Sequence, residues 1–312
     1  LFYTPGFADY SLRWMPWMDV VDWLTPWEFS PTLLLAFIAS GWLFWQGVRA
    51  SRGAYAVRRT RQWLFWTGLL ILYLSLHTKV DYYAERLFFA HRLQHVVLHH
   101  LGPLLVMLAY PGAVMRRGLP TGLPGLRICL RRFMVSAPGR FVHAALTHKY
   151  WVPLLFVLLV VVWLHPTVQF YSMLDWRLYR LMNWSVVISG FMYWNLILDR
   201  RPSPPAVMSP GARVFSPIIT TVPQMLVGAV ITFTEFDLYP VFDLCGRAIP
   251  GMTAVQDQVI GGLTMWVLAG FIEVFGLLYA LGGVMRLSAQ GRLKEKRRRP
   301  RQRQPDIQSS AS

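Results

Sequence analysis

Apolar residues fall along this chain in seven blocks, near 31–48, 63–77, 89–110, 150–165, 184–198, 215–234 and 259–284. Such blocks approach the roughly 20 residues an α-helix needs to cross a hydrocarbon core. The pattern therefore predicts an all-α bundle of about seven transmembrane helices. The second, fourth and fifth blocks are short, and their ends run into interfacial aromatics at Trp63 and Trp66, Tyr150 and Trp151, Trp184 and Tyr193. Three regions follow: an aromatic segment 1–30, a seven-span domain 31–285, and a basic tail 286–312 expected to be disordered. Gly and Pro break the long segment between the third and fourth blocks into turns, and no chemistry is assigned to it.

The polar positions set an orientation. Lys and Arg number five in 47–62, seven in 111–150, three in 199–215 and nine from 285 onward, so 24 of 31 share one side. The other side takes the remaining seven (Arg13, Lys79, Arg86, Arg92, Arg177, Arg180, Arg247) and 11 of the 15 acids. The positive-inside rule then places the N-terminus outside and the tail in the cytoplasm. The tail reads most simply as a topology and retention signal, with anionic lipid or ribosomal contact as alternatives.

Composition agrees. The chain is 54% hydrophobic and 15% charged, against about 25% charged in soluble domains. Its net charge of +16 is divided among loops and tail instead of forming one patch, which argues against nucleic acid. Cys129 and Cys245 fall on opposite sides of the expected membrane and cannot pair within one chain. The sequence opens at Leu1 with no basic-then-apolar leader, so either an upstream piece is missing or an N-out first helix inserts unaided.

Chemistry concentrates in "HRLQHVVLHH", residues 91–100, which holds four of the eight histidines. His91, His95 and His99 recur every four residues and form one helical stripe, about 6 Å apart along the axis. On the expected topology His77 and His165 end their spans at the same outer level, while His143 and His148 lie inside. Ionisable groups in a bilayer normally face the bundle interior and mark a site. Imidazoles at i and i+4 can bite one ion, thioethers favour Cu(I), and carboxylates favour harder ions. Candidate ligands are His77, His91, His95, His99 and His165, with Asp257 and Met265 in support and Glu235, Asp237 and Met252 as further outward groups. Copper is the first expectation among metals. The alternative for each histidine is a hydrogen bond that fastens two helices. Glu273, deep in the last block, is either a proton-relay or a helix-fastening residue.

Other readings have less support. Ligands one helical turn apart fit two haems poorly. Retinal needs a lysine in the last span, and Lys79, Lys149, Lys294 and Lys296 all lie outside the blocks. No Walker loop, His-Glu-x-x-His helix or Ser/His/Asp arrangement is visible, so enzyme chemistry has no sequence support.

The stretch "YAERLFFAHRLQHVVLHHLGPLLVMLAYP" resembles the signature of the CtaG-type cytochrome c oxidase assembly factors, with His91, Gln94, His95, Pro103, Leu104 and Pro111 in the matching places. "AVQDQVIGGLTMWVLAG" is similar to the family's run into its last span, matching at Asp257, Gln258, Gly261, Gly262, Met265 and Trp266. Motif order agrees over roughly residues 30 to 285. The resemblance implies a non-enzymatic, multi-pass protein of the bacterial inner membrane that helps mature a haem–copper oxidase by handling copper outside the membrane. Its implied partners are the bilayer and oxidase subunits. One departure stands out: where the family opens its fifth span with a second His pair and a Glu, this chain has Tyr179, Met182 and Asn183. That change either abolishes a shared metal site, softens it toward Cu(I), or marks a divergent member. A copper or proton transporter and a haem- or quinone-binding subunit remain the rival functions.

Overall fold

A computed structural model describes residues 29–120, 122 and 124–292. Most of the expected aromatic N-terminal segment and most of the basic tail lie outside the described residues. Among the described residues all regular structure is helical, in the order α1 (Pro31–Ala50), α2 (Arg59–His77), α3 (Lys79–Arg86), α4 (Phe88–Leu108), α5 (Pro111–Gly118), α6 (Pro124–Val135) and α7 (Ala137–Leu146). There follow α8 (Trp151–Leu164), α9 (Pro166–Leu174), α10 (Trp176–Ile197), α11 (Pro210–Phe233), α12 (Val241–Leu244) and α13 (Ala254–Ala289).

The seven expected spans appear in reduced form. By length and composition α1, α11 and α13 qualify to cross a membrane, with 20, 24 and 36 residues. The pairs α4–α5 and α7–α8, bent by 67° and 61°, raise the total to five if each is one span. Helices α2 and α10 exist where blocks two and five predicted them, over 19 and 22 residues, but their polar residues hold the hydropathy down. Large apolar side chains such as Leu35 and Ile38 on α1, Ile219 and Leu226 on α11, and Phe271 and Leu278 on α13 face outward, as a lipid-facing surface requires.

The bend after α4 has a local cause. Tyr110 takes a left-handed conformation (φ 50°) and Pro111 follows with no N–H to continue the helix. Arg61 of α2 then donates to the carbonyls of Ala109 (2.9 Å) and Tyr110 (3.2 Å). Those carbonyls would otherwise be left unpaired at the helix end.

Helix α4 sits centrally, packed by α2, α3, α10 and α13. Two glycines allow the close approach. A Cβ at Gly190 of α10 would collide with the carbonyl of His99, and one at Gly261 of α13 would collide with the Phe88 ring. Both α4 and α13 widen into a π-helical turn, over Val96–Leu101 and Thr264–Leu268 respectively. Such turns shift the side-chain stripe and recur at functional positions. Here they carry His99 and His100 on one helix and Met265 on the other.

Candidate functional site at the histidine stripe of α4

The entry to α4 is fixed from a distance. Asp257, fully buried on the first turn of α13, accepts the N–H groups of Phe88 (2.9 Å) and Phe89 (2.8 Å), and Arg247 Nη1 reaches its Oδ2 at 2.5 Å. The carboxylate caps the helix that carries the histidines and shares Arg247 with Asp237 and Asp243. Both oxygens are thus engaged by donors, and this carboxylate, expected as a supporting metal ligand, does structural work.

His91 comes next and is fully buried. Its Nδ1 lies 3.1 Å from the Ala84 carbonyl and must carry the proton. Its Nε2 therefore accepts, from Gln169 Nε2 at 3.3 Å. The same Gln169 accepts from Arg92 Nη2 at 2.9 Å through Oε1. One amide from α9 thus bridges an imidazole and a guanidinium on consecutive residues of α4.

His95 packs with its ring centroid 4.5 Å from that of His91, and its Nε2 has no hydrogen-bond partner among the described residues. One turn deeper, His99 Nε2 lies 2.9 Å from Ser189 Oγ. Ser189 already donates to the Val186 carbonyl (3.0 Å), so His99 is the donor and its Nε2 is spoken for. His100 turns toward α13, with Nδ1 3.5 Å from Glu273 Oε1. A cavity of about 30 Å³ opens here, lined by Arg92, His95, His99, His100, Gln224 and Met265 among others. The structure therefore brings together His95, His99 and Met265 from the expected set, with His91 alongside.

The remaining candidates stand apart. His77 Nε2 accepts the backbone N–H of Ser30 (3.2 Å), with the Tyr73 ring packed edge-on to the imidazole. His165 is exposed at the turn between α8 and α9. Among the described residues no group of three or more His, Cys, Asp or Glu side chains is arranged to hold a metal ion. Cys129 and Cys245 are free thiols.

Where the resemblance implied a second His pair, the structure shows what took its place. Tyr179 lies 6.1 Å from His91 ring to ring, and its hydroxyl donates to Asp81 Oδ1 (2.7 Å). Gln94 Nε2 reaches the same Asp81 oxygen and the Ser75 carbonyl, each at 2.6 Å. Met182, fully buried, accepts a long hydrogen bond from Ser172 (3.7 Å). Tyr179 and Asn183 help line a pocket of about 320 Å³ together with Asp81, Glu85 and Cys245.

Glu273 is almost completely buried and receives Thr220 Oγ1 (3.1 Å), Thr221 Oγ1 and Gln224 Nε2 (2.7 Å), all from α11. Tyr193 of α10 joins through Thr220 (2.9 Å). The carboxyl group fastens α10, α11 and α13 at mid-depth, which is one of the two roles its position suggested.

Gln169 and Arg92 were not legible as site residues. The amide lies 77 residues from the guanidinium it holds and obeys no local spacing. Arg92 did carry a signal: a cation five residues into an apolar helix.

Comparison with known families completes the description. The family described as cytochrome c oxidase caa3 assembly factor (Caa3_CtaG) matches residues 41–287, well over half of the chain. No curated protein matches, and no solved structure does.

Proposed function

The chain belongs to the caa3-type cytochrome c oxidase assembly factors, and on that premise we propose that it hands copper, as cargo, to a haem–copper oxidase during assembly. The role is non-catalytic. The protein crosses the bacterial inner membrane seven times, N-terminus out and tail in, and works at its histidine-rich outer end beside oxidase subunits. The observation that carries this reading is the unpartnered Nε2 of His95, a residue that lines one cavity together with Met265. An imidazole and a thioether form a soft, neutral donor pair suited to Cu(I). His91 is the third donor once Gln169 lets go of its Nε2. Arg92 lines the same cavity and its positive charge opposes a resident cation, which favours brief passage over storage.

The test is anaerobic Cu(I) titration of the detergent-purified full chain against a chromogenic chelator. The parent should bind near one equivalent, and His91→Ala with His95→Ala together should lose it. Retention by the double variant sinks the copper reading. A transport reading draws on the continuation of polar groups from His95 through His99 and His100 to Glu273; copper or proton uptake into proteoliposomes that depends on His99 would favour it over hand-off.

A further inference from the structure

Arg92 is the charge in this molecule that most needs an explanation. It is 2% exposed, and a guanidinium stays protonated at any ordinary pH. Yet it makes no ion pair among the described residues. Its partners are neutral: Gln169 Oε1 on Nη2 and the Phe88 ring, 5.2 Å from Cζ. Its Nε–H has no acceptor. Glu273, the buried carboxylate beside His100, is taken up by α11 hydroxyls and amide. Buried charges are ordinarily paired, because an isolated one is very costly.

The unpaired Nε belongs to a residue lining the 30 Å³ cavity, and so does the unpartnered Nε2 of His95. The two residues are three apart on α4 and so lie on neighbouring positions of one face. The rest of the wall includes apolar Val96, Val160, Trp163 and Ala269. About 30 Å³ is the volume of one water, or of one small monatomic ion stripped of its hydration shell. In the Nε2–H tautomer of His95 both unpartnered atoms are donors, one of them on a full positive charge, and such a pair selects an anion over a cation of that size.

We propose that this cavity is a binding site for a small monovalent anion of halide size, held by Arg92 Nε–H and His95 Nε2–H. The anion supplies the counter-charge that the chain does not. It occupies the same edge of His95 that Cu(I) needs, so the two exclude each other. The inference does not depend on the copper reading, and copper-free protein tests it separately.

The experiment is thermal unfolding of the copper-free, detergent-purified full chain in gluconate buffer, with chloride or bromide replacing gluconate at constant ionic strength. The parent should show a saturable rise in Tm with either halide, since a ligand bound only to the folded state stabilises it. Arg92→Met should show no such rise, and in gluconate it should melt no lower than the parent, because removing an unpaired buried charge relieves the fold. Arg92→Lys, which keeps the charge but lacks the Nε–H, should need at least about tenfold more chloride to reach half the rise. Chlorine NMR line broadening on the parent, reversed by bromide, gives a second readout that needs no variant. Equal Tm in chloride and gluconate, or an unchanged halide response in Arg92→Met, overturns the proposal; in the first case the cavity takes water instead.

Discussion

Asp257 closes the N-terminus of α4 by accepting the Phe88 N–H at 2.9 Å, across 169 residues of sequence. The same carboxylate holds Phe89 N–H and the Arg247 guanidinium, so three donors converge on a group with no exposed surface. Removing the buried cap strands two backbone N–H groups at the helix end, while Arg247 keeps Asp243 and Asp237 as partners. Asp257→Ala should therefore lose about 2 kcal/mol of stability, and Asp257→Asn less, because the amide oxygen still accepts one backbone N–H. Thermal unfolding in detergent measures both. Cu(I) binding by the folded fraction should survive in Asp257→Asn; if it disappears while the protein stays folded, the carboxylate is a ligand after all.

Gln169 offers a sharper separation of structure from binding. Its amide pairs His91 with Arg92, so Gln169→Leu leaves the guanidinium with one donor more unmet and frees the imidazole Nε2. Stability should fall by about 1–3 kcal/mol. If His91 is the third copper donor, Cu(I) affinity should rise by about tenfold in the same variant, by analogy with the size of effects that outer-shell partners have on metal sites. Chelator competition and melting then move in opposite directions. A parallel fall in both would assign Gln169 to packing alone.

Much of this is legible in the chain itself. The stripe at His91, His95 and His99 lies on one helix as its spacing required, and the family assignment rested on residues that the match to 41–287 includes. What the spacing could not show is where hydrogen-bonding capacity goes. His99 and Asp257 look like ligands in sequence because both are polar groups in apolar blocks. They are engaged by Ser189 and by the α4 backbone, through contacts 90 and 169 residues apart. The π-turns that swing His100 and Met265 toward one cavity also escape a period-3.6 reading, since a single wide turn leaves no compositional mark. Span number differs for another reason: α2 and α10 carry polar residues along their length, among them Arg61 and His77 on α2 and Arg180 and Asn183 on α10, and these keep both helices below the hydropathy of a span.

Glu273 supports a prediction about fastening. Hydrogen bonds between helices in a membrane average about 0.6 kcal/mol, so three donors from α11 amount to about 2 kcal/mol. Glu273→Leu should lose that much, whereas Glu273→Gln should cost less than about 1 kcal/mol because the threonine hydroxyls can rotate to accept from the new amide. Reversible unfolding in mixed micelles reads the difference. Equal losses from the two substitutions would show that charge, not hydrogen bonding, is what the site needs.

At the arginine-rich end, Asp199 makes a prediction about acid. Arg201 donates Nε to Oδ1 (3.0 Å) and Nη2 to Oδ2 (2.7 Å), and its backbone N–H adds a third bond at 2.9 Å. Burial pushes the carboxyl group up, but these bonds and the nearby Arg213 charge outweigh it and hold Asp199 below its ordinary value. A carboxylate with a depressed folded pKa stabilises the fold fully above its unfolded pKa, about 3.9, and that contribution disappears as pH falls through the lower folded value. Melting temperatures should therefore drop on acidification below about pH 4, and the part due to this pair should be missing in Asp199→Asn. At neutral pH the same substitution should cost no more than about 1 kcal/mol, since the Arg201 side chain is 62% exposed and solvent screens the pair. Arg213 is buried and donates to the carbonyls of Met208, Asp199 and Arg201. Arg213→Met strands those acceptors at every pH and removes one of the charges that hold Asp199 down, so it should lower the whole curve and make its acid slope somewhat shallower. If Asp199→Asn instead kept the full acid slope of the parent, the acid sensitivity of this end would not lie in the Asp199 carboxylate.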